Sequence, residues 1–261
     1  MRIIGSAVSA RLLVHAAVTR HAPPAAGLFD QFFQPQASPA DVYSPDLSAP
    51  LPGLPREYKS IYASAVEGVQ AAMCDGVSGV EIDFPPLANV NALSDGSAKS
   101  ERQVHEANAV AAASMMRALG PSTKNLCVIG CSRGARSALR DACDSVLDLR
   151  DDVPADAVVI CVQPTAEEQW DAVAALRCRC VIVLNGLLNN GRLPHAYYYK
   201  PMTAFSQITG GVVRRYPGPY AAYAIDGECI ELELGLTTQG KRALPDTKDA
   251  QMALQNRYGR R

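Results

Sequence analysis

The chain has 261 residues, 48% hydrophobic and 20% charged, with 25 Lys+Arg against 26 Asp+Glu for a formal net charge of −1. With a mean hydropathy of −0.02, this is the composition of a soluble globular chain long enough for one large domain or two small ones. The balanced charge excludes a global positive field for nucleic acid, and no apolar run reaches the ~18 residues of a transmembrane segment.

Residues 1–29 carry Arg2, Arg11, Arg20, His15 and His21 and no acid, the first carboxylate being Asp30. A basic, acid-free amphipathic leader has the pattern of an organellar transit peptide. A disordered tail is the structural alternative. Eight of the 18 prolines lie between Pro23 and Pro55. Such density opposes both helix and sheet hydrogen bonding, so residues 30–55 are expected to form an extended, disordered linker. The folded body is expected to start near Arg56 as a single domain over 56–235, with a polar, loosely docked tail over 236–261.

Tyr58, Ile61, Tyr62, Ala65, Val69, Ala72 and Met73 recur at helical spacing, and Asp75-Gly76 provides the stop. Val80-Glu81-Ile82-Asp83-Phe84 alternates as a strand does, and Pro85-Pro86 ends it. Ser100 and Gln103 spell a capping box for a helix that Gly120-Pro121 closes. Leu126–Ile129 is a continuous apolar run suited to a strand buried on both faces. A helix bearing Ala135, Leu139, Ala142, Val146 and Leu149 follows it. The strand at 157–162, a helix capped by Thr165 and Glu168, and the strand at 180–184 continue the alternation. Apolar strands separated by amphipathic helices favour parallel pairing, because each helix returns the chain to the same end of the sheet. The expected fold is a three-layer α/β domain with a mostly parallel, doubly wound, Rossmann-like sheet. The segments 197–199, 211–216, 220–225 and 228–234 should extend it as antiparallel strands at its C-terminal side.

Gly130-Cys131-Ser132-Arg133-Gly134 matches the G-x-S-x-G nucleophile elbow in spelling and in its strand–turn–helix context. A serine hydrolase would need His195, the only histidine after Ser132, as base, with Asp156 or Asp171 to orient it. Only one strand precedes the turn in the folded body, fewer than a hydrolase sheet normally has. A milder reading is an anion site, in which the helix N-terminus acts with Ser132, Arg133 and Arg136. A tight turn with solvated arginines is the structural alternative.

Glu81 and Asp83 share a strand face and would either bind a metal or work as acid and base. As structural residues they would face solvent from an edge strand or pair with arginines. One such pair is not a metal site, and no metal or cofactor is expected. The eight cysteines contain no C-x-x-C pair. Cys127 and Cys161 are expected in buried strands, Cys143 on an apolar helix face, and Cys178 and Cys180 lack companions at zinc spacing. A free-thiol chain in a reducing compartment is therefore expected. Tyr198, Tyr199, Lys200, Arg214, Arg215, Tyr216 and Tyr220 concentrate aromatic and cationic side chains, the usual anchors of protein interfaces. Their alternative role is to cover a sheet edge.

Four stretches occur in an order and spacing that resemble a known family. They are Glu81-Ile82-Asp83-Phe84-Pro85-Pro86-Leu87, Val183-Leu184-Asn185, Tyr198-Tyr199-Lys200-Pro201 and Arg215-Tyr216-Pro217-Gly218-Pro219-Tyr220. The chain resembles, over roughly 56–235, the chloroplast and cyanobacterial family of unknown-function domains that includes the plant Low PSII Accumulation factor three. Tyr220 departs from that pattern, in which the last aromatic is usually Trp. The resemblance implies a non-catalytic plastid protein in the stroma or on the stromal face of the thylakoid. Its implied partners are proteins, photosystem II subunits or thylakoid assembly factors among them, with peripheral membrane contact and no transmembrane segment.

Overall fold

Among the described residues, thirteen regular elements and one short 3-10 turn form, departing from the expected alternation at specific places. The computed structural model describes residues 51–87, 101–187, 193–204, 207–232 and 244–259. The leader and the linker up to Pro50 lie outside the described residues. Helix α1 (Tyr58–Cys74) leads into strand β1 (Gly79–Asp83), then α2 (Glu101–Leu119) and β2 (Leu126–Gly130). Helix α3 (Arg133–Ala142), β3 (Val158–Val162), α4 (Glu167–Ala175) and β4 (Cys180–Leu184) continue the chain. The antiparallel part comprises β5 (His195–Ala204), β6 (Gln207–Arg215), β7 (Ala221–Ala224) and β8 (Cys229–Glu231), and α5 (Thr247–Tyr258) comes last.

All the described strands join one eight-stranded mixed sheet in the order β2-β3-β4-β1-β5-β6-β7-β8. The five from β2 to β5 run parallel, and β5 through β8 pair antiparallel. This is an α/β fold. Strand β5 is the pivot, paired in parallel with β1 on one side and antiparallel with β6 on the other.

The apolar strands are continuous because both faces are covered. Val128, Ile160, Val162, Ile182 and Leu184 point to one face and pack with Ile61, Val69, Ala112, Met115 and Leu139 of α1, α2 and α3. Ile129, Val159, Cys161, Val181 and Val183 point to the other, under Trp170 and Val173 of α4. Further along this second face, Tyr198, Met202, Val212 and Ala222 meet Ala250 and Leu254 of α5. Residues 244–259 are thus not a loosely docked tail where they are described. Ala250 and Leu254 give their helix an apolar pair at a spacing of four.

Other departures have local causes. Leu51 and Leu54 pack against the first core and Pro52 is buried, so the folded body begins before Arg56. Helix α3 ends at Ala142, since Cys143 is extended at φ −135°. Leu147 instead forms a parallel bridge to Ile129, its N–H bonded to Val128 O. Helix α4 is capped one residue later than Thr165 and Glu168 suggest. Its N-cap is Ala166, and Gln169 Oε1 accepts the N–H groups of Thr165 (2.6 Å) and Ala166 (3.3 Å). The eight cysteines are free thiols, with Cys131, Cys161 and Cys180 buried and Cys127 and Cys143 partly so. Among the described residues no helix is long and apolar enough to cross a membrane.

Candidate functional site

The Gly130–Gly134 turn lies at the carboxyl end of β2, as the motif requires, but its serine is structural. Ser132 is the N-cap of α3, and its Oγ accepts the Ala135 N–H at 3.1 Å. Its backbone is ordinary extended chain (φ −115°, ψ 165°), with none of the strain of a nucleophile elbow. Strands β3, β4 and β1 lie between β2 and the strand that carries His195. At about 4.8 Å per strand, this places the two residues roughly 19 Å apart across the sheet. No hydrolase pair forms. Arg136 is ion-paired with Asp148, whereas Arg133 is exposed at the start of α3.

A polar chain occupies the neighbouring strand ends. Gln163 follows β3 and Asn185 follows β4, both in the left-handed region at φ 54° and 49°. Backbone strain at adjacent strand ends in non-glycine residues persists only where surrounding contacts fix it. Here the contacts are explicit. The Phe84 N–H donates to Asn185 Oδ1 at 2.9 Å, and Asn185 Nδ2 donates to Asn108 Oδ1 at 2.7 Å. Asn108 Nδ2 donates to Gln163 Oε1 at 3.1 Å, and His105 Nδ1 lies 2.8 Å from that same oxygen. All four side chains are buried, Asn108 and Asn185 completely.

A second buried cluster sits on the opposite face, where β1 and β5 meet. Glu81 is paired in register with His195, and each is 1% exposed. Glu81 Oε1 accepts the Leu193 N–H at 3.1 Å, and Glu81 Oε2 lies 3.6 Å from His195 Nε2. The Tyr220 hydroxyl meets His195 Nδ1 at 2.8 Å. Arg214 lies over the Tyr220 ring, 5.0 Å from its centroid, and its Nε donates to Gly218 O at 3.1 Å. Burial, with a further contribution from the Arg214 charge, pushes His195 down to about 3, so the ring is neutral. Burial likewise lifts Tyr220 to about 12, against the opposing pull of Arg214. The cluster's one fixed cation is a guanidinium, and Glu81 places a carboxyl group within the same interior.

These positions correct two expectations. Glu81 and Asp83 are not on an edge strand, because β1 is flanked by β4 and β5. Tyr198, Tyr199, Tyr216, Tyr220 and Arg214 do not form an exposed interface, being 3%, 7%, 6%, 4% and 3% exposed. Alternation along β5 and β6 sends them into cores on both faces, with α5 covering the second. Lys200 and Arg215 remain partly open, and Arg215 pairs with Glu67. Sequence reasoning missed His105, Asn108 and Gln163. For His105 and Asn108 the available signal was their place beside Val104, Ala111, Ala112 and Met115 on the buried side of their helix, whereas strand alternation would have sent Gln163 to the opposite face. Among the described residues no group of three or more His, Cys, Asp or Glu is arranged to hold a metal.

Fold and site together define an α/β protein with a mixed sheet, a polar chain at its parallel strand ends and a buried His–Tyr–Arg–Glu cluster beneath. Comparisons with protein-family models, curated proteins and solved structures find no match to this chain.

Proposed function

We propose that this protein is a non-catalytic accessory protein of the plastid, in the stroma or on the stromal face of the thylakoid. Through protein–protein contacts it would help photosystem II subunits accumulate or assemble. One observation carries the reading: the four stretches behind the family resemblance, scattered along the sequence, converge in space. They lie on β4, β1, β5 and β6 and the turn into β7, four of them neighbouring strands of the sheet. Glu81 pairs with Val183, Ile82 with Leu184 and Asp83 with Tyr198, and Arg215 pairs with Tyr197, the residue just before the third stretch. Chance similarities have no reason to gather around one strand, whereas a shared structural centre does this.

The structural work of Ser132 and the interior position of His195 support a non-catalytic role. The acid-free residues 1–29 support the plastid address. Helices on both faces of the parallel strands support the finer architecture, a doubly wound, Rossmann-like layer. With the tyrosines buried, the contact surface moves to Lys200 on β5, Ile208 on β6 and Ile225 in the turn after β7. The two isoleucines are 45% and 58% exposed.

The test uses the tagged full-length chain, expressed in a photosynthetic host. The fusion should enter plastids, and purification from isolated thylakoids should recover photosystem II subunits, less so for a doubly substituted Ile208→Glu, Ile225→Glu chain. A fusion that stays outside plastids, or a purification without these subunits above background, refutes the reading.

A further inference from the structure

A cleft runs along the outer edge of the sheet on β2, at the opposite end from β8. Its volume is about 440 Å³, within the ~300–1,000 Å³ of small-molecule sites. The last turns of α2 form one wall, with Met116 and Arg117. The segment that follows α3 forms the other, with Cys143 and Asp144, and Leu126 and Val128 of β2 are the floor. Met116, Leu126, Val128 and Cys143 all pack with the first core, so the interior is apolar. Three of them are only half-buried, which leaves that apolar surface open to a ligand.

Two opposite charges stand on the two walls without meeting. Arg117 is exposed, and its Nη2 donates to Ser114 Oγ at 3.3 Å within its own helix. Asp144 is exposed as well, and among the described residues neither takes part in an ion pair. Both charges reach the space between them. Burial raises the pKa of the Cys143 thiol, Asp144 adds to that rise, and Arg117 opposes it. The Asp144 wall is negative for a second reason, because it continues from the carboxyl end of α3. There the Cys143 N–H takes Leu139 O, and the carbonyls of residues 140–142 have no later helical N–H to bond. A cationic wall and an anionic wall over an apolar floor complement a zwitterion with an apolar body.

The floor supplies matching hydrogen bonds. Asn125 O accepts the Val158 N–H at 2.8 Å on the β3 side, and Val128 O accepts the Leu147 N–H at 2.9 Å on the outer side. Backbone groups alternate in direction along a parallel strand. Leu126 therefore turns both its N–H and its C=O to the outer edge, where no backbone group among the described residues pairs with them. A residue laid beside Leu126 can donate to that carbonyl and accept from that N–H, as one further strand residue would. Leu147, bridged to Ile129, already occupies the next position along the edge. The open edge thus suits a single residue rather than a strand.

We propose that this cleft binds a free α-amino acid with an apolar side chain. Its carboxylate faces Arg117 and the Leu126 N–H, and its ammonium faces Asp144 and the Leu126 carbonyl. Its side chain lies against Met116, Val128 and Cys143. The site is at the far edge of the sheet from Ile208 and Ile225 and is independent of the accessory role proposed above.

Titration of the full chain with L-leucine tests this, read by calorimetry and by the backbone ¹⁵N–¹H signals of Leu126 and Val128. The pH is held at about 6, below the α-amino range, so that every free amine is charged. L-leucine should bind saturably and move the Leu126 signal. Glycine lacks the apolar side chain and should bind at least about tenfold more weakly. N-acetyl-L-leucine lacks the ammonium and L-leucinamide lacks the carboxylate, and each should also bind about tenfold more weakly. Two exposed substitutions, which leave the core intact, then assign the charges. Arg117→Ala should weaken L-leucine binding about two- to fivefold and leave L-leucinamide unchanged. Asp144→Asn should weaken L-leucine by a similar factor and leave N-acetyl-L-leucine unchanged. The proposal is overturned by the absence of saturable binding at millimolar L-leucine or by an unmoved Leu126 signal. Equal affinity for glycine or for either blocked derivative overturns it too, as does unchanged L-leucine affinity in either variant.

Discussion

His195 shows how one side chain can be read two ways. Viewed along the sequence, it is the only histidine after a Ser-containing Gly turn and therefore a candidate base. In the fold it is interior, and burial followed by the Arg214 charge depresses its pKa from 6.5 to about 3. A histidine that binds its proton more readily in the unfolded chain favours unfolding in acid. Its contribution to stability is therefore complete above about pH 6.5 and lost as pH falls toward 3, at a slope of up to about 1.4 kcal/mol per pH unit. Urea midpoints measured between about pH 7 and pH 4 should fall with that added slope, and His195→Gln should flatten it. Equal slopes in the two proteins would show that His195 does not titrate in this way.

Among the elements, α1 illustrates how a backbone contact can reverse a propensity. Replacing glycine by alanine inside a helix normally stabilises it by about 1 kcal/mol. A Cβ at Gly68 would stand 2.2 Å from the carbonyl oxygen of Ala196 at the start of β5, so α1 would have to lift from the sheet. Gly68→Ala should instead destabilise the protein by about 1–3 kcal/mol, readable in its denaturation midpoint. Most elements were legible in the sequence. Both-face burial leaves an unbroken apolar run, as in β4, where 180–184 matches Cys180–Leu184 residue for residue. Helix ends were less legible, since the helical pattern through Val146 and Leu149 gave no sign that Leu147 would bond to β2. The site was largely hidden. Nothing in the local sequence of β5 and β6 says that α5 will roof the tyrosines, or that residues 105, 108, 163 and 185 will meet.

At the scale of the molecule, the second face is covered in two parts, by α4 over the parallel strands and by α5 over the antiparallel ones. Removing α5 strips the cover from Tyr198, Met202, Val212 and Ala222 while leaving every strand in place. A chain ending at Pro245 should therefore keep its β-sheet circular dichroism but bind a hydrophobic dye and aggregate more readily. If it remains as soluble and dye-silent as the full chain, α5 is dispensable as a cover.

The sheet is assembled around β1, the first of the described strands and among the last to find its neighbours. Gly79 pairs with Val181, and Asp83 waits for Tyr198. At about 5–20 residues per second, a ribosome leaves that strand without either flank for roughly 5–20 s after making it. During this interval Val80, Ile82 and Phe84 have no sheet in which to hide. The nascent protein must pass its most exposed moment holding the piece that will later be its centre.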